Sequence, residues 1–210
     1  MTPSPVISTP PIVGVMGGIA SGKSLAGQLL AGERGVVLQA DALAHEILRE
    51  PDTIEMLRER FGPAVIDQAG EVDRAVIAAR VFRDSELRAG LENWIHPRVR
   101  ARIGVGLDEA RKQGAECIVL DVPLLLENDA EHGLAELCDW LVFVDSPLEE
   151  RERRATQSRG WESGEVARRE AAQLPLHVKR DRAHHIVPNQ GTRAEFEKAI
   201  AAVRRDMGLS

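Results

Sequence analysis

A chain of 210 residues with 43% hydrophobic and 29% charged side chains can bury one good core, or one core with a small subdomain, and has the balance of a globular protein rather than a disordered or membrane one. A formal net charge of −6 argues against a nucleic-acid protein held mainly by phosphate contacts, whose binding domain would be basic, so any anionic ligand has to be held locally. Two cysteines, Cys117 and Cys138, are too few and too far apart for a secreted disulfide framework or a metal cluster, and a reducing, cytoplasmic setting fits them best.

Residues 1–11 hold four prolines among small polar residues, with no positive region and no long apolar run, and read as a flexible tail rather than a signal peptide. The first apolar run, Ile12 to Met16, reads as a buried strand and leads through a glycine-rich turn into a helical pattern. Val36 to Leu38 is a weaker strand, followed at once by Gln39-Ala40-Asp41. From Ala42 to Gln113 the patterns are helical, as in Glu86 to Ile95, and no comparable strand appears. Two further runs, Cys117 to Leu120 and Trp140 to Val144, are again strands; the densest charge run, Glu149 to Arg154, comes next, with Arg159, Arg168 and Arg169 behind it, and His185 to Val187 is the last strand. Strands alternating with helices specify an α/β domain over residues 12–210, with a parallel five-stranded sheet covered by helices on both faces. No apolar run approaches the ~18 residues of a membrane span. In such sheets ligands sit at the carboxyl ends of the strands, so an insertion over residues 42–113 overhangs the site and is placed to hold a second substrate.

The strongest signal is Gly17-Gly18-Ile19-Ala20-Ser21-Gly22-Lys23-Ser24, a full match to G-x-x-x-x-G-K-S/T in the required setting of a preceding strand and a following helix. Glycines let backbone N–H groups turn inward around phosphate oxygens, and the helix beginning near Lys23 adds the positive end of its dipole. Lys23 would reach the outer phosphates and Ser24 would ligate Mg²⁺; the alternative is a purely structural glycine turn. Such a loop serves kinases, GTPases and ATPases alike. The N-K-x-D-like segment with which a GTPase would read its base does not occur.

Four further segments stand in a particular order: Gln39-Ala40-Asp41 after the second strand, Ile95-His96-Pro97, Asp121-Val122-Pro123-Leu124-Leu125-Leu126-Glu127-Asn128, and Ala183 leading to Ile186-Val187-Pro188-Asn189-Gln190-Gly191, with Arg169 and Gln173 before the last. In this order and with the phosphate loop, the chain after residue 11 resembles the dephospho-CoA kinase family. It departs from that pattern at Leu25, in place of a second hydroxyl, at Gln39, in place of the first Asp of D-A-D, and at His184, in place of an Asp. The resemblance implies a P-loop NTPase fold like that of the nucleoside monophosphate kinases, with the helical insertion binding the acceptor and an arginine-rich lid at about residues 148–182. It implies transfer of the γ-phosphoryl of ATP, with Mg²⁺, to the ribose 3′-hydroxyl of dephospho-CoA. The expected partners are these two small molecules, with no nucleic acid and no membrane, and the expected state is a monomer, with an oligomer left open. The alternatives are another P-loop small-molecule kinase, for a nucleoside monophosphate or sugar acid, and a nucleotide-binding regulator that has lost its chemistry.

The nucleotide is then held by Gly17, Gly18, Ala20, Ser21, Gly22, Lys23, Ser24 and Leu25, and the resemblance implies an adenine contact from Asn189. It also implies that Asp41 is the base toward the acceptor hydroxyl, although an Asp there could equally cap the Ala42 to Arg49 helix. Asp121, ending its strand beside the phosphate loop, either orders Mg²⁺-bound water or caps a turn before Pro123. Arg154 and Arg159 fall where the lid would close over ATP and stabilise charge on the phosphoryl oxygens, against the alternative of a solvated basic face. Pro123, Leu124, Glu127 and His96 are the candidate acceptor contacts; Glu127 could instead be a structural carboxylate, and His96 a helix cap beside a proline turn. His184 and His185 would point to opposite faces of a strand and share no metal, while Trp94 and Trp140 read as core and Trp161 as packing under the lid.

Overall fold

The computed structural model describes residues 9–67 and 69–210. Strand β1 (Ile12–Gly17) is buried along its whole length, which is why its sequence runs apolar without alternation. It pairs in parallel with β3 (Ile118–Asp121) on one side and β4 (Trp140–Asp145) on the other. β2 (Val36–Gln39) borders β3 and β5 (His185–Pro188) borders β4, so the order is β2-β3-β1-β4-β5 and every pairing is parallel. All five expected strands are present, and each runs one residue further at its carboxyl end than its apolar run. The residues that interrupt those runs, Gly17, Gln39, Asp121, Asp145 and Pro188, therefore line the carboxyl edge of the sheet, where ligands of α/β proteins sit.

On one face, Val13, Val15, Val119, Val142, Val144 and Val187 form a continuous core with Ala26 and Leu30 of α1 (Lys23–Ala31) and Phe196, Ile200 and Val203 of α10 (Arg193–Asp206). Helix α10 starts on a capping box, in which the Thr192 side chain takes the Glu195 amide and the Glu195 carboxylate takes the Thr192 amide. Of the segment expected as a flexible tail, residues 1–8 lie outside the described residues. Its end is not free: Pro10 is buried and the Pro11 carbonyl accepts from the amide of Ile118.

The chain divides into two compact units, one formed by residues up to 39 with 106–210 and the other by 40–105. The second is helical, with α2 (Ala40–Ile47), α3 (Pro51–Phe61), a 3₁₀ turn at Pro63–Val65, α4 (Arg74–Arg83) and the first part of α5 (Ser85–Lys112), and includes an antiparallel bridge between Ile66 and Val72. It has its own core of Met56, Leu57, Phe61, Val65 and Ile77. Trp94 packs against that core and donates from Nε1 to Thr53 Oγ1 at 3.0 Å. Asp73 caps α4 by accepting from the amides of Ala75 and Val76. Helix α5 continues through Pro97 although a proline there has no N–H for the carbonyl four residues earlier. Among the described residues no helix is long and apolar enough to cross a membrane.

Candidate active site

The Gly17–Ser24 segment turns from the carboxyl end of β1 into the first turn of α1. Ser21 N–H donates to the Gly18 carbonyl at 3.2 Å and Ala26 N–H to the Gly22 carbonyl at 3.0 Å. Gly22 has a φ of 100°, and a side chain on it would stand 2.5 Å from Nδ2 of Asn189, so both conformation and space demand glycine. Ala20 adopts a φ of 58°, an uncommon setting for a residue with a Cβ and a mark of a loop shaped for its ligand. The Lys23 ammonium donates to the carbonyls of Gly17 at 3.2 Å and Gly18 at 2.8 Å, so the cation is laid along the loop. Burial lowers its pKa to about 8; Asp121 and Glu170 act against that shift, and the positive charges of Lys179 and Arg159 add to it. Those four groups therefore lie within electrostatic reach of the ammonium.

The segment between β4 and β5 carries three helices, α7 (Leu148–Arg159), α8 (Glu165–Glu170) and α9 (Leu176–Asp181); the short α6 (Asp129–His132) follows the Asp121–Asn128 stretch. Arg154 on α7 donates to the Ser21 carbonyl at 3.3 Å, to Ser146 Oγ at 3.1 Å and to the Asn189 carbonyl at 3.0 Å. Asn189 completes the triangle by donating from Nδ2 to the Ser21 carbonyl at 2.7 Å. Arg151, only 3% exposed, donates from Nε to the Ser146 carbonyl at 3.0 Å and pairs with Glu170 of α8. Arg159 and Arg169 both lie over the Trp161 ring, at 4.9 and 4.2 Å from its centre. On α9, Lys179 is 5% exposed and its ammonium sits 2.6 Å from the Glu127 carboxylate and 3.1 Å from Gln173 Oε1. Glu127 also accepts from the amide of Leu174 at 3.3 Å.

The expected residues are thus partly assembled. The loop residues, Lys23, Arg154 and Asn189 meet through the bonds above, and Asp121 and Arg159 act on Lys23 through their charge. Asp121 ends β3 in register with Gln39. Glu127 is engaged with Lys179 and Leu174. Pro123 is exposed, as is Leu124, whose φ of 56° is a second strained backbone setting in a candidate segment. Asp41 differs from the helix-cap alternative: the helix starts at Ala40 and takes Asp41 into its first turn, where the dipole favours an acid. His96 lies in the interior of α5, next to Pro97, and is not a helix cap. Asp41 and His96 both belong to the second unit.

Three charged residues here had not been singled out: Arg151, Glu170 and Lys179. Arg151 sits inside the Glu149–Arg154 run, and the signal that marks it is helical phase. Four residues before the buried Ala155, it shares the apolar side of α7, whereas Arg153 points to solvent. Glu170 and Lys179 carry no such local mark. Among the described residues there is no cluster of three or more His, Cys, Asp or Glu able to hold a metal. Anion binding is what this arrangement can do chemically: a glycine-rich turn, a helix start and the cations Lys23, Arg151 and Arg154 converge on one loop.

A family model described as dephospho-CoA kinase matches residues 11–195. The chain belongs to the dephospho-CoA kinase family. It is 38% identical over 214 residues to the dephospho-CoA kinase of Deinococcus radiodurans, covering 100% of both chains. Among solved structures, TT1252 from Thermus thermophilus superposes with a TM-score of 0.76 at 36% identity, over 95% of this chain and 99% of that one. A dephospho-CoA kinase from Campylobacter jejuni shares the fold, with a TM-score of 0.68 at 24% identity over 93% and 96% of the two chains. Two of the departures from the family pattern have a local explanation. Leu25 packs against the α1–sheet core. His184 Nδ1 accepts from the amide of Leu141 at 2.9 Å, as a carboxylate there could, while its own amide donates to the Leu141 carbonyl.

Proposed function

We propose that the protein transfers the γ-phosphoryl group of ATP to the ribose 3′-hydroxyl of dephospho-CoA, forming coenzyme A. The observation that carries this reading is the Lys23 ammonium laid on the carbonyls of a preformed phosphate loop, with Arg154 bonded to the same loop, in a chain of the dephospho-CoA kinase family. Phosphoryl transfer asks little covalent chemistry of the protein; positioning and charge stabilisation supply most of the rate.

In this reading the loop amides and Lys23 hold the outer phosphates, Arg154 and Arg159 close on the transferring group, and Asn189 lies on the adenine side. Asp41 takes the proton from the acceptor hydroxyl as it attacks the γ-phosphorus; the bond from that phosphorus to the bridging oxygen breaks and ADP leaves. Acceptor contacts are assigned to residues 42–113, His96 among them, and to Pro123, Leu124 and Glu127. Ser24 and Asp121 suit Mg²⁺: both offer hard oxygen donors, the Ser24 side chain is exposed at the start of α1, and the Asp121 charge is felt at Lys23. Ser24 would bind the ion directly and Asp121 through water, and the ion would neutralise charge on the β- and γ-phosphoryl oxygens.

Coupled ADP release across dephospho-CoA, AMP, CMP and gluconate tests this. Dephospho-CoA should show the highest kcat/KM by a wide margin, because a pocket built to hydrogen-bond one acceptor leaves groups unpaired with another. Asp41→Asn should lower kcat by roughly 10² to 10⁴ with little change in ADP affinity. A higher kcat/KM for AMP would refute the acceptor, and near-normal turnover of Asp41→Asn would refute the base.

A further inference from the structure

The phosphate loop already holds an anion, and the protein supplies it. Oε1 of Glu170, at the end of α8, accepts from the amide of Ile19 at 2.6 Å. The same oxygen lies where a Cβ on Gly18 would be only 2.6 Å away, so it occupies the space that the second glycine of the loop leaves open. Arg151 donates to this oxygen too, and its Nη1 lies 3.4 Å from the Ile19 carbonyl. The carboxylate charge is also felt at Lys23. A loop amide, an arginine and the loop lysine are the partners that a phosphoryl oxygen takes from such a loop.

We propose that Glu170 is a positioning residue that stands in for a phosphoryl oxygen in the nucleotide-free protein and is displaced by the phosphates of the incoming nucleotide. Displacement frees the Ile19 amide and one face of the Arg151 guanidinium together. Arg151 stays anchored through Nε to the Ser146 carbonyl, so it remains beside the loop and passes from carboxylate to phosphate. Glu170 leaves with α8, so the exchange couples nucleotide entry to movement of the segment between β4 and β5. The proposal rests on the reading of Gly17–Ser24 as a nucleotide loop.

Calorimetric titration of the intact protein with ADP and with pyrophosphate tests it, comparing wild type with Glu170→Gln and Glu170→Ala. Glutamine keeps an oxygen for Ile19 and Arg151 but removes the competing charge, and alanine removes the competitor altogether. Both variants should bind ADP more tightly than wild type, by roughly three- to tenfold, the equivalent of one competing hydrogen bond. Pyrophosphate should gain as much as ADP, because the competition is for the phosphate loop. Hydrogen exchange should show residues 165–170 changing protection on ADP binding in wild type and less so in Glu170→Ala. Equal or weaker ADP binding by both variants would overturn the proposal and make Glu170 a brace of the loop. Failure of wild type to bind either ligand would instead overturn the nucleotide-loop reading.

Discussion

The Gly17–Ser24 loop and the Leu148–Asp181 segment meet where Arg151 and Arg154 donate to the Ile19 and Ser21 carbonyls, yet they are held in different ways. The loop is shaped by main-chain bonds, by a glycine at a φ of 100° and by the start of α1, all within a few consecutive residues. The helical segment reaches the loop through long side chains: Arg151, Arg154 and Glu170. Main-chain geometry of the first kind is present before the ligand and costs no reordering when phosphate arrives. Side-chain contacts of the second kind can be exchanged one for one with ligand oxygens, which suits a part that must open and close around a nucleotide.

The sharpest way to break this comparison is to cut the ion pair that ties α9 to the Asp121–Asn128 stretch. Glu127→Ala leaves the Lys179 ammonium buried without its carboxylate, and losing one partner of a buried pair typically costs about 3–5 kcal/mol of stability. Urea unfolding should show that loss. A change below about 1 kcal/mol would mean the pair is not what fastens α9.

On the loop side, Lys23→Ala removes a cation bonded to two carbonyls and no part of the hydrophobic core, so the fold should survive with a native circular dichroism spectrum. Turnover should fall by about 10² to 10³, the usual loss when one preorganised charge-stabilising donor is removed. Activity within tenfold of wild type would contradict the role of the loop.

A smaller effect follows from the depressed pKa of Lys23, which burial brings to about 8. Below that pH the side chain is a cation and attracts phosphate; as pH rises through 8 the empty protein loses the proton, so ADP has to restore it on binding. Affinity for ADP should be constant from pH 6.5 to 7.5 and weaken above 8, by at most about tenfold per pH unit. Lys23→Ala should show no such decline; a wild-type affinity flat to pH 10 would mean the ammonium keeps its ordinary pKa.

What could be read in the sequence follows the same division. Apolar runs marked all five strands: the central β1, β3 and β4 are buried along most of their length and write that burial into consecutive residues, while β2 and β5, at the sheet edges, are only partly buried and have shorter runs. The loop was legible because its glycines, lysine and serine are contiguous. Arg151–Glu170 and Lys179–Glu127 join residues from different elements, and no periodicity records which carboxylate will face which cation. Pro97 and Asp41 show a related gap: each is a good boundary signal locally, yet α5 runs on through the proline and α2 starts ahead of the acid.

The most direct test of the account is the position of the new phosphate. Wild-type protein incubated with ATP, Mg²⁺ and dephospho-CoA should convert the acceptor to a product with one added phosphoryl group by mass spectrometry, carrying a ³¹P resonance coupled to the ribose 3′ proton and appearing in step with ADP. ATP consumption that does not depend on dephospho-CoA, or a phosphate found at any other position of the acceptor, would contradict it.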